Sequence, residues 1–310
     1  MAIFASMKPF FLVSNDVNSS ICYMNNAEVM NVCPDSSLLH LRVVMIGAGR
    51  VASHLAPALA SQGVQFCQVY SRTAEAAEAL AEVIAAANHY LSKPEAIHQM
   101  DALTREADLY LVSLTDQALL SLLPQLVSGR EQALWVHTAG SVPLSCFQGL
   151  TLRGGVLYPM QTFSKGVPVD FSLVSLFVEA SLPADLLLLE RLAALLTTHV
   201  HRADSRQRKA LHIGAVMACN FANHAYALAQ YWLEQQGLPF EAMLPLIDET
   251  ARKVHQLKPM EGQTGPAIRQ DQAVMASHIE LLHDYPQLQA IYRQLSQSII
   301  DLEKTKSNQD

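Results

Sequence analysis

The sequence predicts an α/β fold in which a doubly wound parallel sheet is followed by an all-helical C-terminal domain. Three observations predict it. The apolar run LRVVMIGAG ends in glycines and leads directly into a helical pattern. Strand-like and helix-like segments then alternate at regular lengths to about Ala203. After Asp204 the strands stop and only helical spacing remains.

Taken in order, RVASHLAPALASQG reads as a helix closed by Gly63, VQFCQVYSR as a second strand and TAEAAEALAEVIAAA as an Ala-rich helix. A polar stretch without clear period precedes the apolar strand ADLYLVSL. QALLSLLPQLV is a helix, and ALWVHTAG and GGVLYPM are strands. SLVSLFVEA, a helix from about 184 to 197 and the short strand THVHRA close the layer. Near-continuous apolar strands separated by helices are the pattern of a sheet covered on both faces. From Ser205 to about Gln236 apolar residues recur at helical spacing, and further helices are expected near 241–257, 267–283 and 286–303. Residues 1–40 have no sustained period and are rich in Asn and Ser, so an irregular extension is expected there. The expected organisation is therefore 1–40 extension, 41–203 sheet domain and 204–310 helical domain.

The totals exclude several functions. The 310 residues carry 21 Lys and Arg against 28 Asp and Glu, a net charge of -7 with no basic block, which offers no electrostatic surface for nucleic acid. No apolar run approaches the roughly 18 to 20 residues of a membrane span. Lys8 and Pro9 interrupt the only apolar stretch near the start, which argues against a secretory leader. Cys22, Cys33, Cys67, Cys146 and Cys219 are scattered with no Cys-x-x-Cys pair, as suits a reducing cytoplasm. His199 with His201, and His278 with His283, have no carboxylate or thiol to complete a set, so no metal is expected.

GAGRVA places Gly47, Gly49 and Ala52 at fingerprint spacing, after a strand and at the start of a helix. Gly47 permits the turn, Gly49 lets backbone approach a pyrophosphate, Ala52 allows close helix packing, and Ala48, Arg50 and Val51 complete the loop whose amides would receive the phosphates. This is the signature of a Rossmann-type dinucleotide site. An NAD site normally ends its second strand in an acid that takes the ribose 2'-hydroxyl, whereas this chain has Ser71, Arg72 and Thr73 there. Arg72 can pair with a 2'-phosphate and the two hydroxyls can donate to it, so NADP is the expected cofactor. The alternative is a solvated loop arginine.

Ligands on such sheets lie beyond the carboxyl ends of the strands. Leu114, Thr115 and Asp116 follow one strand, His137, Thr138, Gly140 and Ser141 the next, and Tyr158 to Thr162 a third, and these should line the nicotinamide half. Asp116 is either a ligand contact or a helix N-cap, and His137 either faces the ligand or is bonded within the scaffold. In the helical domain His212 and Asn223 are eleven residues apart, within about 20° on a regular helix, and Asn220 is about 80° away. These three face a substrate cleft, with His212 as proton donor, or form a polar network between helices. Arg269, Asp271 and His278 follow the Gly265–Pro266 turn.

The segments GAGRVA, LVSLTDQAL, WVHTAGSVPL, YPMQTFS, ALHIGAVMACNFANH and TGPAIRQD resemble, in that order, the bacterial Rossmann-like proteins with a C-terminal domain of unknown function, DUF2520. That family is similar to pyrroline-5-carboxylate reductase and deazaflavin-dependent NADP oxidoreductases. The resemblance implies NADP in the first domain and a helical, dimer-forming second domain. It does not supply a substrate. Tyr158 departs from the related pattern, which more often has His before Pro159. Related hydroxyacid dehydrogenases use a helix Lys with Asn four residues on, and here Lys209 is followed by Ile213. The expected activity is NADP-dependent transfer of a hydride to or from a small carbonyl or imine in a crevice between the domains. His212, Asn220 and Asn223 would orient the carbonyl or imine, with His212 supplying the proton, and His137 is a further catalytic candidate. The alternative is an NADP-binding sensor or assembly protein without turnover. A homodimer through the helical domain is expected, with the site completed across the interface by Arg269, Asp271 or His278.

Overall fold

The computed structural model describes residue 38 and residues 40–307, and the extension expected over residues 1–40 lies almost entirely outside them. The first unit is built on one eight-stranded sheet: β1 Arg42–Ile46, β2 Gln65–Tyr70, β3 Glu95–Ile97, β4 Leu109–Val112, β5 Leu134–His137, β6 Gly154–Met160, β7 Ser175–Ala180 and β8 Val200–Arg202. Their spatial order is β3-β2-β1-β4-β5-β6-β7-β8. All pairs are parallel except β6 with β7, where Gly155 faces Ala180 and Met160 faces Ser175.

The alternating side chains of each strand separate two cores. Val43 and Met45 join α1 (Ala52–Ser61), α2 (Ala74–Ala87) and α4 (Pro183–Ala194) on one face. Val44 and Ile46 join Tyr110, Trp135 and α3 (Asp116–Val127) on the other. Tyr110 and Trp135 stack with centroids 4.2 Å apart. Their polar atoms are satisfied within the core, Tyr110 Oη donating to Thr104 O and Trp135 Nε1 to Arg130 O. Burial of both sheet faces explains why the central strands read as unbroken apolar runs.

The chain divides into two compact units that part between Ala215 and Val216. The helical spacing that begins at Ser205 thus opens inside the first unit, because α5 (Ser205–Ala215) is tied to the sheet through Arg208 and Ser205. The second unit starts with a π-helical segment, Val216–Phe221, and continues with α6 (Ala222–Gln235), α7 (Leu244–Lys253), α8 (Gln272–Leu281) and α9 (Pro286–Ser307). Of its described residues only Ala267, Met275 and Leu282 are buried apolar ones. An apolar hollow between α6, α8 and α9 is lined by Trp232, Leu281, Leu282, Ile291 and Tyr292. Among the described residues no helix is long and apolar enough to cross a membrane.

Candidate active site

The carboxyl ends of β1, β2, β4, β5 and β6 lie along one edge of the sheet, and the candidate residues follow them. Gly47 is buried at the end of β1 with φ of 102°, its N–H donating to Tyr70 O at 2.8 Å. A Cβ there would lie 2.2 Å from Ser113 O, so only glycine fits between β1 and β4. Gly49 differs, for a Cβ would meet nothing within 4 Å. That open space borders the start of α1, whose first turn carries no acidic residue and no side-chain cap. Ala52 is fully buried. A loop of this kind fits a dinucleotide pyrophosphate: the first amides of a helix have no intrahelical partner, no side chain at Gly49 fills the cradle, and the first turn of α1 brings no carboxylate. His54 braces the loop from the first turn of α1, its ring lying between Arg50 O at 2.7 Å and Val167 O at 3.0 Å.

At the end of β2, Ser71 N donates to Ile97 O and Thr73 caps α2 by accepting from Ala76 N at 3.3 Å. The Thr73 hydroxyl hydrogen stays available to a ligand. Arg72 is exposed, and among the described residues its guanidinium meets no carboxylate. Leu114 covers Gly47. The cap of α3 is Thr115, which accepts from Ala118 N, and not Asp116. Asp116 accepts instead from the Ser141 hydroxyl, linking the loops after β4 and β5. Thr138 is buried, with its N–H on Val112 O at 3.1 Å.

His137 does not serve the role expected of it. Its side chain is fully buried against Phe147, its Nδ1 accepts from Ala139 N at 3.2 Å, and Nε2 has no protein partner among the described residues. Burial, reinforced by the Arg208 cation, pushes its pKa down to about 3. A neutral imidazole sealed in the core cannot exchange a proton with a ligand.

His212 is placed differently. It lies four residues after Arg208 on α5, hence on the same helical face. Arg208 is buried and donates to the Glu179 carboxylate and to Val142 O at 2.6 Å. Ser205 Oγ donates to Glu179 and accepts from Leu144 N at 2.9 Å. This network fixes α5 against β7 and the loop after β5. It brings His212 Nδ1 to 3.3 Å from Tyr158 Oη at the end of β6, the two rings meeting edge-on. Gly140 fills the corner between them, where a Cβ would lie 2.8 Å from Tyr158 Cζ and 2.9 Å from His212 Nδ1. Sequence reasoning placed Gly140 and Tyr158 among the residues lining the nicotinamide half but did not pair either with His212, and it missed Arg208 and Glu179. The signal available was a lone acid in the apolar strand SLFVEA and an arginine four residues before His212.

The residues expected further along fall in the second unit. Asn220 and Asn223 are exposed there, and the 100° count that aligned Asn223 with His212 fails across the π-helical segment, which lies between them. Asp271 caps α8 by accepting from Val274 N at 3.2 Å. His278 Nδ1 sits 2.9 Å from Tyr292 Oη at the apolar hollow, and Arg269 is exposed.

Comparison with known proteins bears on this arrangement. The domain of unknown function DUF2520 matches residues 174–299, and a shikimate/quinate 5-dehydrogenase family matches residues 28–126. The chain is 47% identical to a Bacteroides fragilis protein described, provisionally, as an NADP oxidoreductase, over 85% of this chain and 99% of that one, with a TM-score of 0.79. It shares the fold of a Thermotoga maritima protein at 17% identity, covering 86% and 99% of the two chains with a TM-score of 0.62. It also shares the fold of a reductive aminase from Aspergillus terreus, solved with NADPH and ethyl levulinate, at 12% identity over 84% and 94% with a TM-score of 0.62. A search of curated proteins finds no match.

Proposed function

Because the chain belongs to the DUF2520 family of Rossmann-fold proteins, we propose that it is an NADP-dependent oxidoreductase that acts on a small carbonyl or imine. The observation that carries this reading is the presence, on one edge of one sheet, of an open glycine cradle at Gly49 and a polar pair, Tyr158 and His212. The description of the Bacteroides fragilis relative supports the same reading. Gly47 to Ala52 would hold the pyrophosphate, and Ser71, Arg72 and Thr73 the 2'-phosphate. Arg72 is suited to that role because, among the described residues, no carboxylate competes for it. When bound, the nicotinamide supplies hydride chemistry. His212, partly exposed at the same edge, holds the proton that the acceptor's oxygen or nitrogen needs. Asp116 is engaged by Ser141 and shapes the wall of the site.

The test is a turnover screen of the full-length protein with NADPH against ketoacids, aldehydes and cyclic imines, following loss of nicotinamide absorbance. Oxidation with at least one class, abolished by His212→Gln, is the expected result. Tight NADPH binding with no turnover across all classes would favour a sensor or assembly role and end the enzyme reading.

A further inference from the structure

The pairing of Tyr158 with His212 carries an inference about how the proton is held. His212 has two ring nitrogens, and only Nδ1 is engaged by the sheet, at 3.3 Å from Tyr158 Oη. Tyr158 is nearly buried, whereas His212 is partly exposed. A phenol can donate to a bare Nδ1 or accept from a protonated one, so it can keep the ring in one orientation through a change of charge. Few other side chains offer both roles from a rigid ring. Gly140 gives a second, independent sign that the pair is built: its backbone φ does not demand glycine, yet a single methyl there would overlap both Tyr158 Cζ and His212 Nδ1. The Arg208–Glu179–Ser205 network one turn earlier holds the helix that presents the ring.

We propose that Tyr158 is a positioning residue that engages His212 Nδ1 and thereby leaves Nε2 as the ring's only proton-donating edge. This rests on the reductase reading above. In the neutral ring the proton sits on Nε2 while Nδ1 accepts from the tyrosine hydroxyl. In the protonated ring both nitrogens carry hydrogen, with Nδ1–H donating to Tyr158 Oη. During reduction the acceptor carbon gains the hydride supplied by the dinucleotide, the π pair moves to the acceptor's oxygen or nitrogen, and that atom takes the Nε2 proton. The imidazole is left briefly neutral with its remaining hydrogen on Nδ1, donated to Tyr158 Oη. Uptake of a proton from water at Nε2 restores the protonated ring, from which loss of the Nδ1 proton gives the resting Nε2–H tautomer. Hydride and proton together balance the reduction of the double bond.

The test combines a readout that needs no substrate with one that does. Nitrogen NMR of the imidazoles in the full-length protein, with the His212 signals assigned by their loss in His212→Gln, reports the ring tautomer directly. In the wild type, neutral His212 should show a single tautomer protonated at Nε2. Tyr158→Phe and Gly140→Ala should each convert it to the mixed tautomers of a free imidazole. With a substrate from the screen, both variants should lower kcat by about tenfold, part of what a correctly oriented proton donor supplies, and displace the pH profile of kcat. Unchanged nitrogen shifts in Tyr158→Phe would overturn the inference, as would an unchanged kcat and pH profile. If no substrate is turned over, the reductase reading fails on its own and the NMR result still decides the tautomer.

Discussion

At the scale of single residues, the contrast between His137 and His212 shows how burial sorts two histidines with the same chemistry. His137 lies at the end of β5, where either a ligand-facing or a scaffold role was expected, and the strand's alternation turns it into the core beside Phe147. Its pKa of about 3 lies below the ordinary value of 6.5 because the charged form is desolvated. The unfolded chain therefore binds a proton there that the folded chain refuses, and the stabilisation from this residue is complete above about pH 6.5. It is lost as pH falls towards 3, by up to about 1.4 kcal/mol per pH unit. Urea unfolding at pH 7 and at pH 4.5 should show a smaller acid loss for His137→Phe than for the wild type. Equal losses in both proteins would mean that His137 titrates normally and is not sealed in the core.

At the scale of elements, the glycine loop between β1 and α1 was legible because its parts are contiguous. A strand, two glycines, an alanine and a helix fall within a dozen residues, each with a steric reason for being there. The Tyr158–His212 pair was not legible, since its members are 54 positions apart and meet only after β6 and α5 pack. β3 was missed because Glu95–Ile97 is a three-residue edge strand in a polar stretch, with no run long enough to show a period. The π-helical turn was missed because VMACNF has apolar residues at spacings that a regular helix also satisfies. The element on which the site depends most is α5, held by the buried Arg208 and the partly buried Glu179. Arg208→Ala leaves Glu179 without its partner and should cost about 3 kcal/mol or more in unfolding free energy. Arg208→Met combined with Glu179→Leu should recover much of that loss, because no charge is then stranded. A single-variant cost below about 1 kcal/mol would show that the network does not anchor the helix.

At the scale of the whole molecule, the two units differ in how they bury apolar side chains. The first has two cores separated by its sheet, as expected from the alternation of strands and helices. The second leaves Met217, Phe221, Leu244, Leu246, Leu257 and Leu281 exposed, among others. The homodimer expected from sequence is proposed on this basis: a second copy would cover these faces with matching ones. Light scattering at micromolar concentration should give twice the chain mass, and Phe221→Glu should shift it towards the monomer. A monomeric wild type would refute the dimer and leave the dinucleotide site unaffected. The most direct test of the central claim is calorimetric titration of NADPH and NADH into the wild-type protein and Arg72→Ala. NADPH should bind more tightly to the wild type, and the substitution should weaken NADPH by roughly 1.5 to 3 kcal/mol while sparing NADH. Equal losses for the two cofactors, or binding of neither by the wild type, would contradict the account.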